Sequence, residues 1–206
     1  ALAARDKHMM RTLMAAGGVP CPTFRRFTTA DDPHEVAAQV DYPCVVKPLN
    51  LNGSRGVIRA NNPAELVAAV QRLAQMLQQE LPDGQPKPYL VEDFIPGVEV
   101  ALEGMLDNGA LTVLALFDKP DPLDGPFFEE TIYVTPSRLP ATTQQAITET
   151  VALAARALGL QMGPVHAELR VNDQGPWMLE VAGRSIGGLC SQVLRFGVDE
   201  SLEELI

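Results

Sequence analysis

Two glutamates, Glu168 and Glu180, lie in the segment HAELRVNDQGPWMLEVAGR, in which stretches of alternating polar and apolar residues flank a turn-forming NDQG. This pattern predicts a β-hairpin. A three-residue loop from Asp173 to Gly175 would place Glu168 opposite Glu180 on one face. Opposed like charges repel each other, whereas a divalent cation would convert the pair into oxygen ligands.

The register of this hairpin is left open by the sequence. A two-residue loop would place Glu180 opposite Ala167 and turn Glu168 to the other face, which would abolish the metal site. Two solvated carboxylates are then the alternative. Arg184, shortly after the hairpin, carries the guanidinium fork that binds a carboxylate through two hydrogen bonds, and its alternative is an ordinary surface arginine.

Lys47 ends a short apolar strand, YPCVVKP, and precedes the loop NLNGSRGV. An ammonium group is costly to bury unless an anion meets it. The small loop residues let backbone N–H groups approach such an anion closely. The combination suits a polyphosphate, although the GxxxxGK[ST] order of a P-loop is absent. A hairpin loop with a lysine at its rim is the alternative.

A second pair of carboxylates lies in VEDFIPGVEVALEG, where Glu92 closes an apolar strand and Glu99 begins the next one beyond a Pro-Gly bend. These acceptors could bind a nucleobase amino group and ribose hydroxyls. Phe94 and Ile95 would supply an apolar wall. The alternative is that both glutamates are solvated charges at strand ends.

Both helices and strands must position these residues, and their order along the chain predicts an α+β fold. The segments Asp32-Pro33-His34-Glu35 and Asn62-Pro63-Ala64-Glu65 are N-terminal capping signals. Helices are predicted in DKHMMRTLMAAGG, over 33–40, over 63–79, over 141–158 and in GGLCSQVLRFG. Residues 88–119 predict an antiparallel meander, and residues 120–140 are too rich in Pro and Asp for a regular element.

Composition excludes several classes of protein. The 206 residues carry a formal net charge of -10 without a Lys/Arg cluster, which argues against a nucleic-acid partner. Three cysteines without a ligand pattern indicate a reducing compartment, and we expect a cytoplasmic protein. No apolar run reaches the length of a membrane span, so no membrane partner is expected. His166 is interpreted as a hydrogen-bonded structural histidine, with a metal ligand as the alternative, because no second histidine lies at ligand spacing.

Taken in order, four segments resemble the ATP-grasp superfamily of ligases, and the resemblance covers nearly the whole chain. They are DKHMMRTLMAAGGVPCP, YPCVVKPLNLNGSRGV, YLVEDFIPGVEVALEG and GPVHAELRVNDQGPWMLEVAGR. The resemblance implies two α+β lobes that clamp ATP between antiparallel sheets. Residues 1–91 would form the small lobe with a Gly-rich lid, and residues 92–206 the large lobe with the metal-binding hairpin.

The resemblance also implies roles for individual residues. The phosphates would be bound by Lys7 and Lys47, together with Ser54 and Gly56 of the lid. Adenine would be held by Glu92 and the backbone of Asp93, Phe94 and Ile95, and ribose by Glu99. Glu168 and Glu180 would bind Mg²⁺ or Mn²⁺, and Arg184 would steady the acyl phosphate or its carboxylate precursor. Leu179 would pack on the base, pointing to the opposite side of its strand from Glu180, in the register with the three-residue loop.

Within the superfamily, residues 114–140 and the segment EVAGRSIGG are similar to the branch that ligates amino acids into dipeptides. Such enzymes activate a carboxylate as an acyl phosphate, which an amine then attacks. Lys119 would reach the phosphates, while Glu130, Gly187 and Gly188 would line the substrate pocket. Many relatives carry Asn where Ala182 stands. Alanine offers no ligand atom there, which argues against a second Mg²⁺.

Two other functions stay open. A carboxylase-type member would phosphorylate bicarbonate, but it would be expected to carry further polar residues just after Arg184. A nucleotide-binding module without turnover is the second. The chain begins within a helix and without an initiator Met, so we expect a fragment that lacks an N-terminal domain of the same protein. The expected partners are small-molecule substrates, and a homo-oligomer is possible.

Overall fold

The computed structural model describes residues 3–49, 51–80, 84–129, 131–197 and 199–206. The helices are α1 (Lys7–Ala16), α2 (Pro33–Ala37), α3 (Pro63–Glu80), α4 (Ala141–Ala157), α5 (Gly188–Val193) and α6 (Leu202–Leu205). The strands are β1 (Phe24–Thr28), β2 (Cys44–Pro48), β3 (Ile58–Ala60), β4 (Pro88–Asp93), β5 (Val98–Asp107), β6 (Ala110–Lys119), β7 (Gly163–Asn172), β8 (Gly175–Ala182), β9 (Arg195–Phe196) and β10 (Glu200–Ser201). Two of the sheets are four-stranded and antiparallel, and helices cover both, which confirms the α+β prediction.

The first sheet has the strand order β1-β4-β2-β3. Helix α3 begins where the sequence predicts, because the side chain of Asn62 accepts a hydrogen bond from the backbone N–H of Glu65 at 3.0 Å. Its apolar residues recur at helical spacing and are buried against this sheet. Helix α2 is also capped as predicted, by Asp32, but it ends before residue 40.

The second sheet has the order β6-β5-β7-β8 and is covered by α4 and α1. Met10 and Met14 of α1 are buried in this core together with Val151 of α4. Helix α1 therefore belongs with the second sheet, whereas the predicted lobe of residues 1–91 placed it with the first. Within the described ranges, no helix combines the length and the apolar character that a membrane span requires.

Strand β4 does not join the predicted meander, because it lies in the first sheet between β1 and β2. The chain changes sheets at Pro96-Gly97. Gly97 has φ +127°, and a Cβ there would lie 2.2 Å from the carbonyl oxygen of Val171. The tight bend thus requires glycine and brings Glu92, at the end of one sheet, close to Glu99, at the start of the other.

The hairpin of β7 and β8 corrects one prediction and confirms another. Asn172 pairs with Gly175, so the turn has two residues, Asp173 and Gln174, and not the predicted three. Glu168 nevertheless pairs with Glu180. The neighbouring pair is Leu169 with Met178, so the register shifts by one residue between these two pairs. The extra residue in β8 is Leu179, which forms a β-bulge.

Candidate functional site

A cleft with a cavity of about 380 Å³ separates the two sheets. The predicted site residues that line it are Lys7, Lys47, Ser54, Glu92, Asp93, Phe94, Ile95, Glu99, Glu168, Leu179, Glu180, Arg184, Gly187 and Gly188. Leu179 and Glu180 both face the cleft, whereas adjacent residues of a regular strand point to opposite sides. The predicted opposite orientation of Leu179 is therefore wrong, and the bulge is the reason.

Two predicted residues, Gly56 and Lys119, are placed differently. Gly56 packs behind the loop, since a Cβ there would lie 2.4 Å from Met76 of α3. The glycine at this position thus serves close packing, and we find no cleft-lining role for it. Lys119 is buried beside two carboxylates. Glu130 lies outside the described residues.

Glu92 is the centre of a buried cluster of charges. Its Oε1 lies 2.8 Å from Nε of Arg11, and its Oε2 lies 2.9 Å from Nζ of Lys47. Burial opposes ionisation, but the charges and hydrogen bonds of the two cations outweigh it and lower the pKa of Glu92 to about 2. Glu92 therefore orients Lys47 towards the cleft as an ionised carboxylate.

Both carboxylates of the hairpin contact cationic groups. Oε2 of Glu180 lies 3.6 Å from Nζ of Lys7. Oε1 of Glu168 lies 3.3 Å from Nζ of Lys119 and 3.5 Å from Nε2 of His166. These cations offset the repulsion that opposed glutamates would otherwise suffer.

His166 is also hydrogen-bonded through Nδ1 to Glu103, which is 1% exposed. Burial opposes protonation of the imidazole, but hydrogen bonds to Glu103 and Glu168 raise the pKa of His166 to about 9. This geometry agrees with the interpretation of a hydrogen-bonded structural histidine. It also makes the imidazole a cation at neutral pH.

The hairpin fits a magnesium ion through its donor chemistry. Among the residues that the structure describes, no group of three or more His, Cys, Asp or Glu side chains is arranged to hold a metal. Mg²⁺, however, commonly binds one or two carboxylates and completes its coordination with phosphate oxygens and water. Glu168 and Glu180 supply those two carboxylates, and Ala182, which pairs with His166, adds no ligand.

The bend between the sheets is held by Arg170. Its Nε lies 3.3 Å from Oε2 of Glu99, and its Nη1 donates to the carbonyl of Ile95 at 3.0 Å. Lys119 binds the other oxygen of Glu99 at 2.9 Å. The guanidinium of Arg170 also lies 4.8 Å from the ring centroid of Phe94. The carboxylate of Glu99 and the aromatic ring of Phe94 are thus fixed relative to each other.

The far end of the cleft combines small and apolar residues. Gly187 precedes α5 and Gly188 begins it. Arg184 is exposed and donates a hydrogen bond from Nη1 to the carbonyl of Ser185 at 2.8 Å. Tyr133 and Ile186 also line this end. An elongated ligand with anionic groups at several points would match this distribution of charge.

Arg11 and Arg170 were not among the predicted site residues, although the sequence contained a signal for each. Arg11 follows Lys7 by one helical turn and therefore shares its face of α1. Arg170 follows Glu168 by two positions in β7 and therefore shares its face of the strand. Periodicity alone could have placed both beside predicted residues.

Comparisons with known proteins agree with this geometry. A family model described as an ATP-grasp domain matches residues 40–193. D-alanine–D-alanine ligase of Aromatoleum aromaticum is 31% identical over 86% of this chain and 55% of that protein. Alanine–anticapsin ligase of Bacillus subtilis is 26% identical over 89% of this chain and 42% of that ligase.

Among solved structures, an L-amino acid ligase from Bacillus licheniformis superposes with a TM-score of 0.78 and 31% identity. The match covers 98% of this chain and 46% of the ligase. The chain thus spans about half the length of the relatives it matches. The family match, the cleft between two antiparallel sheets and the paired glutamates lead to one conclusion: the chain belongs to the ATP-grasp family.

Proposed function

We propose that this chain forms the nucleotide- and metal-binding part of an ATP-dependent carboxylate–amine ligase. The observation that carries the proposal is the cleft in which Lys7, Lys47 and Arg184 face the opposed carboxylates Glu168 and Glu180. Phosphoryl transfer is catalysed mainly by positioning and by offsetting charge on the transferred group, and these residues supply both.

The nucleotide would lie along the cleft. Lys7 and Lys47 would contact the phosphates, together with Ser54 of the loop after β2. Glu92 has about one lone pair left for an adenine amino group, because Arg11 and Lys47 occupy the others. Asp93, Phe94 and Ile95 would contact the base, with Leu179 packing on it. Glu99 would accept from the ribose hydroxyls.

Mg²⁺, or Mn²⁺ in its place, would be held by Glu168 and Glu180 and would offset the charge of the phosphates. Relatives with ligands are solved in this fold, among them a D-alanine–D-alanine ligase of Bacillus anthracis complexed with ATP. At 19% identity that structure shows the fold alone. The assignment of nucleotide and metal to individual residues therefore rests on the arrangement of charges in the cleft.

The carboxylate substrate would be an amino acid, as the names of the relatives suggest. A carboxylate oxygen would attack the γ-phosphorus, giving an acyl phosphate and ADP. The amine nitrogen of the second substrate would then attack the carbonyl carbon, releasing phosphate and a proton. Arg184 would hold the carboxylate or the acyl phosphate, with Gly187 and Gly188 leaving room for its side chain. Lys119 would support the phosphates through its contact with Glu168.

The remaining proposals concern the whole protein. Because the relatives are about twice as long as the matched region, we propose that a further domain of the same protein completes the amine site. A homo-oligomer and a cytoplasmic location are part of the same proposal, the latter because Cys21 and Cys44 are free thiols.

The test is release of phosphate and ADP by the full-length protein with ATP, Mg²⁺ and amino acids, offered singly and in pairs. Release that requires two amino acids, together with a peptide-bonded product, supports the ligase. Release that bicarbonate stimulates instead would identify a carboxylase-type reaction. ATP binding without release in any combination would identify a module without turnover. Either of these two outcomes would overturn the proposal.

A further inference from the structure

Arg11 uses every hydrogen-bond donor of its side chain. It is 1% exposed, and a guanidinium has five N–H groups. Nε and Nη2 donate to the two oxygens of Glu92 at 2.8 and 3.0 Å. Nη2 also donates to the carbonyl of Leu179 at 2.6 Å, and Nη1 to the carbonyl of Met178 at 3.4 Å. The last donor points to the sulfur of Met14 at 3.9 Å.

The two carbonyl contacts identify what Arg11 does to β8. Successive carbonyl groups of a regular strand point to opposite edges. Met178 and Leu179 are adjacent, yet both of their carbonyls reach the same guanidinium. This is possible because the bulge at Leu179 turns the second carbonyl to the outer edge of β8.

Two backbone N–H groups on the outer edge of β8 also donate to the same N-terminal region. The backbone N–H of Met178 donates to the carbonyl of Pro20 at 2.8 Å. The backbone N–H of Val181 donates to the sulfur of Met10 at 3.5 Å. These outward-facing backbone groups of β8 are therefore bound by α1 and the turn after it, with the charged guanidinium of Arg11 among the donors.

The same guanidinium reaches the opposite wall of the cleft. Arg11 donates to both carboxylate oxygens of Glu92. The same carboxylate lies 2.9 Å from Nζ of Lys47. Arg11 thus connects the phosphate-binding cation of the first sheet to the bulge that sets the position of Glu180 in the second.

We infer that Arg11 is a positioning residue that holds β8 in its bulged register and thereby keeps Glu180 opposite Glu168. Without it, the two-residue turn favours an unbroken ladder in which Glu180 pairs with Ala167 and the carboxylates separate. Lysine cannot replace it. The guanidinium spreads its donors over three nitrogens, whereas the single ammonium nitrogen of lysine does not reach Glu92 and the carbonyls of Met178 and Leu179 at the same time. The consequence for ligand binding rests on the proposed function, whereas the consequence for the register does not.

The register is tested in the ligand-free full-length protein by backbone NOEs between β7 and β8, in wild type, Arg11→Lys and Arg11→Met. In the bulged register Ala167 contacts Val181, and in the unbroken register it contacts Glu180. We expect NOEs between Ala167 and Val181 in wild type, and between Ala167 and Glu180 in both variants. Retention of the bulged register in the variants would overturn the inference.

The functional consequence is tested with Mn²⁺ as the probe, by electron paramagnetic resonance in the presence of ADP. Arg11→Lys should weaken Mn²⁺ binding at least 10-fold. Leu66→Ala, which removes core volume in α3 from the hydrophobic cluster of the first sheet, should lower the melting temperature but leave Mn²⁺ affinity unchanged. An equal loss of affinity in the two variants would reduce Arg11 to a stabilising residue and overturn the inference.

Deletion of Leu179 provides a rescue. The shortened strand opposes Glu180 to Glu168 in an unbroken ladder, so Mn²⁺ affinity in this background should depend much less on Arg11, whose remaining influence acts through Glu92 and Lys47. Dependence that persists undiminished after the deletion would show that Arg11 does not act through the bulge. If wild-type protein binds neither ADP nor Mn²⁺, the proposed function fails, and the NOE experiment still decides the role of Arg11.

Discussion

Glu168 and Glu180 lie directly opposite each other across β7 and β8, although the turn between these strands contains two residues. A two-residue turn followed by a regular ladder would have separated them onto different faces. The single extra residue, Leu179, restores the pairing and also directs its own side chain into the cleft. The bulge is therefore the feature on which the candidate metal site depends.

The charge of Glu180 should be essential for metal binding. Glu180→Gln removes one of two carboxylate ligands and should weaken Mn²⁺ binding at least ~10-fold and abolish Mg²⁺-dependent turnover. Because Glu180 is partly exposed and its ion pair with Lys7 is long, at 3.6 Å, the melting temperature should change little. Glu149→Gln, on the exposed face of α4, is the control. Undiminished turnover in Glu180→Gln would refute the metal assignment.

Lys47 should contribute to nucleotide affinity through its charge. Lys47→Met leaves Glu92 paired with Arg11, so the fold should persist. A hydrogen bond between charged groups contributes about 1.5–3 kcal/mol, so ADP affinity measured by calorimetry should fall roughly 10- to 100-fold. Arg25→Met removes the same charge from the exposed face of β1 and should have no effect. Equal affinities for wild type and Lys47→Met would exclude a phosphate contact.

Acid should destabilise the protein through Glu92. The pKa of this carboxyl is lowered from 4.5 to about 2 on folding, so its contribution to stability is present above the unfolded pKa and is lost as the pH falls towards 2. Glu92→Gln should cost roughly 3–5 kcal/mol at pH 7, because two buried cations lose their counter-charge. Urea unfolding at several pH values should show a shallower decline for the variant between pH 5 and 2. Parallel curves would contradict the prediction.

The bend between the sheets should not tolerate a side chain at Gly97. Gly97→Ala combines an unfavourable φ of +127° with a Cβ placed 2.2 Å from the backbone of Val171. We expect a loss of roughly 3 kcal/mol or more in the free energy of unfolding. Gly109→Ala, where φ is +82° and the space is open, should cost only about 1–2 kcal/mol of backbone strain. Urea unfolding compares the two, and similar losses would refute the predicted close approach.

Local signals predicted the elements of this fold well. The capping residues Asp32 and Asn62 begin their helices as expected, since a cap depends on the few residues around it. The irregular segment after β6 was also predicted, apart from two isolated bridges. The assignment of α1 and β4 to the wrong groups of strands has a common cause. A strand or helix reveals its buried face through periodicity, but not the sheet against which that face packs.

The sequence by itself determined which residues are available for chemistry and roughly where each element begins and ends. The types of Lys47, Glu92, Glu99, Glu168 and Glu180 indicated phosphate, nucleoside and metal ligands with alternatives left open, and the ATP-grasp cleft was predicted from the resemblance of four segments to that family. Only the tertiary structure decided how the two hairpin carboxylates come to face each other. The turn chemistry favours an unbroken ladder, and the bulge that opposes it is held by Arg11, which lies more than 160 residues away along the chain. Periodicity places Arg11 on the same face of α1 as Lys7, but it does not identify the strand that this face contacts, because that contact depends on α1 packing beside the edge of β8.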